Sequence, residues 1–389
     1  MNSNDMYIVE LSRAAIFDDI PKDPESTVNW DYIYKKSIVQ NIAGLLYTAV
    51  DKLDETNKPL PELLEKWQRD FFETIALTSR QHMEFVRISK LAKEYDICFI
   101  GLKGCIMRTF YPVPELRTMG DFDILLQQKD VNRVKELFKN QDYKIENDAF
   151  GIVCSKGIIH WEIFTTIGEE FRVDAPEWDN KYHNSIFMYN GSRSVEPTEF
   201  LLHLIVHTAK HYVGSGAGIR NLLDIALFIS KYKEMIIFKQ VEDGCRTQKY
   251  FNIYRYIMTV MTNYFGIKID NVELISNDKT ERFVEYSLES GIFGKIDNAL
   301  AVQAAKPEDD SISGMRKIFF PSVKSLKHRY KYLEKHPFLL PAAWVHRIIS
   351  ALFRWKYSIK DMAAGLKEAD EFSKHRLNVL EELNLKDKL

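Results

Sequence analysis

The sequence has few cysteines, and their spacing excludes two classes of protein. Only four of the 389 residues are cysteine, at Cys98, Cys105, Cys154 and Cys245, and no two of them form a Cys-x-x-Cys pair. This pattern argues against a disulfide scaffold and against a zinc ribbon. We therefore expect reduced thiols and a cytoplasmic protein.

The sequence also lacks the features of membrane-spanning and exported chains. The most apolar C-terminal stretch, residues 338–353, is interrupted by Pro341, His346 and Arg347, and a span needs about 18 apolar residues or more. The first residues show no basic start followed by an apolar run, so we expect no secretory signal. The formal net charge is −2, so any basic partner site must be local, and no DNA partner is expected.

Hydrophobic periodicity divides the chain into three parts. Residues 1–96 and residues 196–389 carry apolar residues at helical spacing, whereas residues 97–195 contain short β-rich runs around one helical run. The pattern predicts an α+β protein. A small mixed β-sheet domain at 97–195 is expected between an N-terminal helical segment and a larger C-terminal helical domain, with the functional site between them.

Two aspartates occupy alternate positions of one predicted strand. In the run DFDILL, Asp121 and Asp123 fall on one side while Phe122 and Ile124 fall on the other. We expect the aspartate face to be exposed. Burial of unpaired carboxylates is costly, so a cation must compensate, and a divalent metal is the efficient candidate. Two such carboxylates can hold two Mg²⁺ ions about 3.5–4 Å apart, a spacing that suits in-line displacement at phosphorus.

A third carboxylate is predicted on a later strand. In the run IIHWEIF, Trp161 and Ile163 alternate with Glu162 and Phe164, so Glu162 faces away from the core. We take Glu162 as the candidate third metal ligand, and it is also a candidate proton acceptor. The position of this strand in the sheet is not fixed by the sequence.

Upstream of the aspartates, a Lys-Gly turn separates a strand-like run from a helical one. Gly104 permits close approach of a phosphate to the backbone at a helix start, and Lys103 adds positive charge there. Arg117, four residues before Asp121, is expected to reach a triphosphate oxygen. An Asp-x-Asp pair or a Lys-Gly turn alone is common. The ordered combination of strand, turn, helix, arginine and Asp-x-Asp strand favours metal-dependent phosphoryl chemistry.

This segment resembles the opening of the nucleotidyltransferase fold shared by DNA polymerase β, poly(A) polymerases and CCA-adding enzymes. It is most similar to the uncharacterised bacterial nucleotidyltransferase family. The shared motifs are Leu102-Lys103-Gly104, Tyr111-Pro112-Val113-Pro114, Arg117 and Asp121-Phe122-Asp123. The resemblance implies transfer of a nucleoside monophosphate from an NTP to an acceptor hydroxyl, with Mg²⁺ or Mn²⁺ bound and pyrophosphate released. It does not name the acceptor, which could be a small molecule, a protein or RNA.

Two departures from the resembled families leave a second interpretation open. The turn is Lys-Gly instead of the superfamily's Gly-Ser or Gly-Gly, and Phe164 stands where the bacterial family often has histidine after Glu-Leu. Lys103 is expected to replace the missing phosphate-binding hydroxyl. The alternative is a catalytically inactive nucleotide-binding or interaction module of the same fold.

A later helix carries histidines at every fourth position. His203, His207 and His211 fall on one side of it, without the glutamate of a zinc-protease helix. One interpretation is partly buried, hydrogen-bonded histidines, and another is a histidine metal site. The third places His207, His211 and Arg220 at the nucleotide, together with Asp224 from the next helix.

The segment at 324–335, KSLKHRYKYLEK, interleaves basic residues with Tyr330 and Tyr332. Such a stripe could bind RNA phosphates and stack bases. The alternative is an ordinary solvated helix face, because glutamates dilute the positive charge.

Overall fold

The computed structural model describes most of residues 1–290 and short parts of the remainder. The described residues are 1–24, 27–148, 151–167, 182–184, 187–213, 216–270, 272–290, 323, 330, 332, 336–344 and 377–385. By contacts the chain forms two compact units, the first containing residues 1–210 and 218–288 and the second residues 211–217 and 289–389. The three-part division at residues 96 and 195 stays a prediction.

Helices lie on both sides of the sheet region in the chain. The helices before it are α1 (Ser3–Phe17), α2 (Trp30–Val39), α3 (Ala43–Val50) and α4 (Pro61–Glu94). Within the sheet region are α5 (Gly104–Met107) and α6 (Val131–Lys139), with 3₁₀ turns at Arg108–Phe110, Pro114–Leu116 and Gln128–Asp130. After it come α7 (Pro197–Val213), α8 (Ile219–Tyr232), α9 (Phe238–Thr247), α10 (Phe251–Phe265) and α11 (Asn277–Ser290), with 3₁₀ turns at Lys233–Met235 and Pro337–Leu339. Residues 340–344 and 377–382 are also helical.

The main sheet has five strands in the order β1-β2-β5-β4-β3. Their bounds are β1 (Ile100–Gly101), β2 (Phe122–Leu125), β3 (Lys144–Asp148), β4 (Gly151–Lys156) and β5 (Ile159–Phe164). Only the β2–β5 pair is parallel in this sheet; the other three pairs are antiparallel. A separate hairpin joins β6 (Phe187–Tyr189) to β7 (Ser192–Ser194). The predicted α+β class, with a small mixed sheet and helical parts, is confirmed.

One face of the sheet packs on helices α4 and α6. Trp161 of β5 is fully buried at the centre of this core. Its ring stacks on Phe85 of α4 at 5.6 Å and meets Phe138 of α6 edge-on at 5.3 Å. Phe122 of β2 lies beside it at 4.6 Å. This aromatic cluster fixes which side of β2 and β5 is buried, because successive side chains of a strand point to opposite faces.

Helix α4 joins the N-terminal helices to the sheet. It runs for 34 residues from Pro61 to Glu94, which corresponds to roughly 50 Å. Near its start, the buried Trp67 donates its indole N–H to the carbonyl of Ala43 at 2.7 Å. Farther along, Thr78 Oγ1 donates to the carbonyl of Glu115 at 2.7 Å, so the helix also contacts the segment before β2.

The basic segment at residues 324–335 is only partly covered by the structure. Of residues 324–335, only Tyr330 and Tyr332 belong to the described set, so the predicted RNA-binding stripe lies almost entirely outside it. Among the helices that are described, none has the length and hydropathy needed to cross a lipid bilayer.

Candidate active site

The parallel pairing of β2 with β5 brings the predicted carboxylates together. Asp123 lies directly opposite Glu162, and Phe122 lies opposite Trp161. Since the two aromatic residues point into the core, Asp123 and Glu162 point to the other face of the sheet. Asp121 precedes Asp123 by two residues and is on the same side. The sequence pattern predicts this arrangement, apart from the register.

Lys103 meets the aspartates because β1 runs antiparallel beside β2. The amide of Leu102 donates to the carbonyl of Asp123 at 2.9 Å, which extends the pairing to the start of the turn. Lys103 Nζ then lies 2.9 Å from Asp123 Oδ1. The expected exposed aspartate face is wrong at Asp123, which is only 5% exposed. The buried ammonium supplies the compensating cation that the sequence assigned to a metal.

The backbone of Lys103 adopts an unusual conformation at this turn. Its φ is 44° and its ψ is −120°, a region that L-residues rarely occupy. The ammonium also lies 5.4 Å from the centre of the Phe164 ring, within the range of a cation–π contact. The side chain therefore lies between Asp123 and the residue that replaces the resembled family's histidine.

Glu162 and Asp121 interact directly. A side-chain hydrogen bond joins them, and the pKa of Glu162 is raised to about 7. Burial is the main cause, followed by the negative charges of Asp121 and Asp123, while Lys103 acts in the opposite direction. A protonated Glu162 donates to Asp121.

Gly104 allows two side chains to approach the turn closely. A methyl group at this position would lie 2.5 Å from Nη1 of Arg117 and 2.7 Å from Sδ of Met119. A side chain here would therefore displace the guanidinium of Arg117. The glycine places that cation against the start of α5, which agrees with the expected proximity of Lys103, Gly104 and Arg117.

Arg117 is held by a buried carboxylate from α8. Its Nη2 lies 2.6 Å from Asp224 Oδ2 and its Nε lies 3.4 Å from Asp224 Oδ1. The Tyr111 hydroxyl donates to Asp224 Oδ1 at 2.8 Å. Asp224 keeps the pKa of Arg117 above its usual range although burial acts to lower it. The role of Arg117 as a triphosphate ligand stays a prediction, and in this structure Asp224 takes one edge of its guanidinium.

Arg220 lies at the start of α8, close to the same group. Its Nη1 donates to both the carbonyl and the Oγ1 of Thr118 at 2.9 Å. Burial and the neighbouring Arg117 lower the pKa of Arg220 to about 10, against the attraction of Asp224 and Asp121. The structure thus places Arg220 within electrostatic range of Asp121 and Asp224, and its role at a nucleotide stays a prediction.

The two histidines that were predicted to bind the nucleotide, His207 and His211, belong to different units. His207 of α7 is half-buried, and its ring is parallel to that of His203 with 6.4 Å between centroids. His211 belongs to the second unit. The proposed contacts of His207 and His211 with a nucleotide stay predictions.

Comparison with known proteins assigns the chain to a family. A family model described as an uncharacterised nucleotidyltransferase matches residues 26–266, more than half of the chain. The chain belongs to this family. The match includes the Lys-Gly turn, the three carboxylates, and both Arg117 and Arg220. Neither a search of curated proteins nor a search of solved structures gave a significant match.

The three carboxylates of this family member are chemically suited to bind a hard cation. Their present positions do not form a metal site. Three carboxylate groups are the donors that Mg²⁺ and Mn²⁺ prefer, and the pKa of Glu162 is raised by burial first and by the charges of Asp121 and Asp123 second. As the side chains stand, no group of three histidine, cysteine, aspartate or glutamate side chains among the described residues could hold a metal ion. Lys103 engages Asp123, and Asp121 is hydrogen-bonded to Glu162.

Two residues of the site, and a buried arginine outside it, were missed by the sequence reasoning. Thr118 and Met119 contact Arg220 and Gly104, and nothing in the motif spacing identifies them. Arg108 is also buried beside the turn, with 2% of its surface exposed. Its signal in the sequence is a single charged residue within the apolar run GCIMRTFY.

Proposed function

We propose that this chain transfers a nucleoside monophosphate from an NTP to an acceptor hydroxyl and releases pyrophosphate. In this proposal Asp121, Asp123 and Glu162 hold Mg²⁺ or Mn²⁺. The supporting observation is the register that places Asp123 opposite Glu162 beside the Gly104 turn, in a member of a nucleotidyltransferase family. The acceptor is a small molecule, a protein or RNA.

The residues around the carboxylates have separate roles in this proposal. Gly104 lets the guanidinium of Arg117 lie against the backbone of the turn, and Lys103, Arg117 and Arg220 provide positive charge for a triphosphate. Glu162, with a pKa of about 7, can hold or release a proton near neutral pH. A bound divalent cation would lower the pKa of the acceptor hydroxyl and neutralise charge on the phosphate.

The interaction of Lys103 with Asp123 favours a second candidate, a nucleotide-binding module without turnover. The ammonium lies 2.9 Å from a carboxylate oxygen that a metal would need, and the Phe164 ring lies against the same ammonium. If this pair persists when nucleotide binds, Asp123 is unavailable to a metal. Binding would then occur without chemistry.

Pyrophosphate release distinguishes these two functions. The full chain would be incubated with each NTP, Mg²⁺ or Mn²⁺, and panels of RNA, protein and small hydroxyl acceptors. We expect release that EDTA stops, that Asp123→Asn abolishes, and that the control Asp142→Asn leaves unchanged, since the Asp142 side chain is 92% exposed. NTP binding without release for any acceptor would support the module without turnover.

The Asp123→Asn variant needs a test of its fold. Asparagine is isosteric with aspartate but removes the negative charge that lies 2.9 Å from the Lys103 ammonium. The circular dichroism spectrum and the NTP affinity would therefore be measured for both variants. Transfer by Asp123→Asn at the wild-type rate would refute the assignment of Asp123 as a metal ligand.

A further inference from the structure

Arg108 is a buried cation that neither candidate function uses. It begins the 3₁₀ turn Arg108–Phe110, which directly follows α5. With 2% of its surface exposed, it is one of the largest fully buried side chains of the described residues. A buried guanidinium needs hydrogen-bond partners and an opposite charge.

One edge of the Arg108 guanidinium is without partners. Nε and Nη2 are buried and make no hydrogen bond with any described residue. These two N–H groups point in the same direction and form the fork that binds a carboxylate or phosphate through two oxygens. The unpartnered atoms therefore make up one complete two-donor site.

Other arginines of this chain show what that edge normally binds. Arg117 directs Nε and Nη2 to the two oxygens of Asp224. Arg13 does the same with Glu10, at 3.0 Å for both bonds. Arg87 binds Glu84 in the same way, at 2.8 and 2.7 Å. Arg108 exposes less of its surface than Arg117 does, and its fork meets no oxyanion among the described residues.

No described residue near Arg108 supplies one. Glu115 is near enough to act on its pKa, but it forms no ion pair with the guanidinium, and Arg117 adds repulsion. As a result burial lowers the pKa of Arg108, whereas Asp224 raises that of Arg117. His82 of α4 is also close, and its buried Nδ1 has no hydrogen-bond partner among the described residues.

We propose that Arg108, with His82 beside it, binds an oxyanion of an external ligand, either a phosphate or a carboxylate group, through its Nε and Nη2 edge. The imidazole of His82 lies within electrostatic range of the guanidinium, and its pKa is lowered by burial first and by the charge of Arg108 second. Entry requires movement of covering side chains, since both donors are shielded from solvent. Glu115, whose charge acts on Arg108, belongs to the short 3₁₀ turn Pro114–Leu116. This site does not depend on the proposed nucleotidyl transfer.

The test is equilibrium binding to the full chain in EDTA, where no metal-dependent transfer can occur. Inorganic phosphate, pyrophosphate and acetate are titrated separately by calorimetry, so that the arms distinguish phosphate from carboxylate. The variant is Arg108→Gln. The matched control is Arg69→Gln, which removes an exposed arginine from α4. We expect at least one anion to bind, with a Kd raised tenfold or more by Arg108→Gln and unchanged by Arg69→Gln.

Thermal unfolding separates binding from a structural role. Without anion, Arg108→Gln should unfold at the wild-type temperature or above it, because an unpaired buried charge is removed; with anion, only wild type and Arg69→Gln should gain stability. If Arg108→Gln does not fold, Arg108→Lys keeps the charge without the fork and should show the same loss of affinity. Equal anion affinity in wild type and the folded Arg108 variants, or no binding of any anion to wild type, would overturn the proposal.

Discussion

Replacement of Asp224 should destabilise the first unit strongly, because it leaves a buried cation without its partner. Arg117 and Asp224 have side chains that are 8% and 5% exposed, and their closest atoms are 2.6 Å apart. Breaking a buried ion pair by removing one partner costs about 3–5 kcal/mol. Asp224→Asn keeps the shape of the side chain and an acceptor for Tyr111, so its effect isolates the charge. We expect a loss of about 3–5 kcal/mol.

Two further variants divide this loss into parts. Tyr111→Phe removes one hydrogen bond to a charged acceptor and should cost about 1.5–3 kcal/mol. The double variant Arg117→Met with Asp224→Leu removes both charges, and such apolar replacement is often neutral or stabilising. It should therefore be more stable than Asp224→Asn alone, and the double-mutant cycle should show strong coupling between Arg117 and Asp224.

The assay is equilibrium unfolding in urea, followed by tryptophan fluorescence, since Trp67 and Trp161 are both buried in the first unit. The midpoint and slope are compared among the variants at pH 7. If Asp224→Asn lies within about 1 kcal/mol of wild type, the pair is not a closed buried ion pair in solution. The reasoning about Arg117 would then be wrong.

Two other variants probe the carboxylates and the turn. In EDTA, Glu162→Gln should stabilise the protein at pH 8 and lose this advantage at pH 5, because the folded pKa of Glu162 is about 7 against an ordinary 4.5. In wild type, the stability that protonated Glu162 contributes is fully present below pH 4.5 and is lost as the pH rises through 7. We expect the advantage of Glu162→Gln at pH 8 to be about 1–2 kcal/mol after allowance for solvent screening. Thermal melts across this range measure it, and a pH-independent difference would contradict the assignment. Gly104→Ala should cost about 1–3 kcal/mol through overpacking against Arg117 and Met119, and it should weaken NTP binding; unchanged stability and affinity would show that the turn accommodates a methyl group.

The sequence predicts the strands and the side to which their carboxylates point. The alternation around Phe122 and Trp161 suffices for this, because strong aromatic burial determines the face of each strand. It does not predict that β5 pairs in parallel with β2, since a pattern of alternation contains no information about the neighbour of a strand. The register that joins Asp123 to Glu162 therefore came only with the structure.

The sequence also does not predict which cation compensates the charge of Asp123. The residue types indicate that a buried aspartate needs a compensating cation, but an ion from solution and a lysine twenty residues away both meet that need. Lys103 reaches Asp123 because β1 is antiparallel to β2 and the turn has a positive φ. Neither the strand pairing nor this backbone conformation is visible in the residue types. Likewise, Tyr111 and Arg117 belong to the resembled motifs, but their contacts with Asp224 depend on the packing of α8.

The loop after α2 connects the N-terminal helices by hydrogen bonds to the segments that carry Arg117 and Arg220. Gln40 Oε1 accepts the amide of Ile219, adjacent to Arg220, at 3.0 Å, and its Nε2 donates to the carbonyl of Leu288 at 2.7 Å. The carbonyl of Asn41 accepts from Thr118 Oγ1 at 3.3 Å. A shortened protein that starts at the sheet would expose these polar groups and release the first turn of α8. A minimal folded fragment that contains the sheet must therefore retain the helices that come before its β-strands.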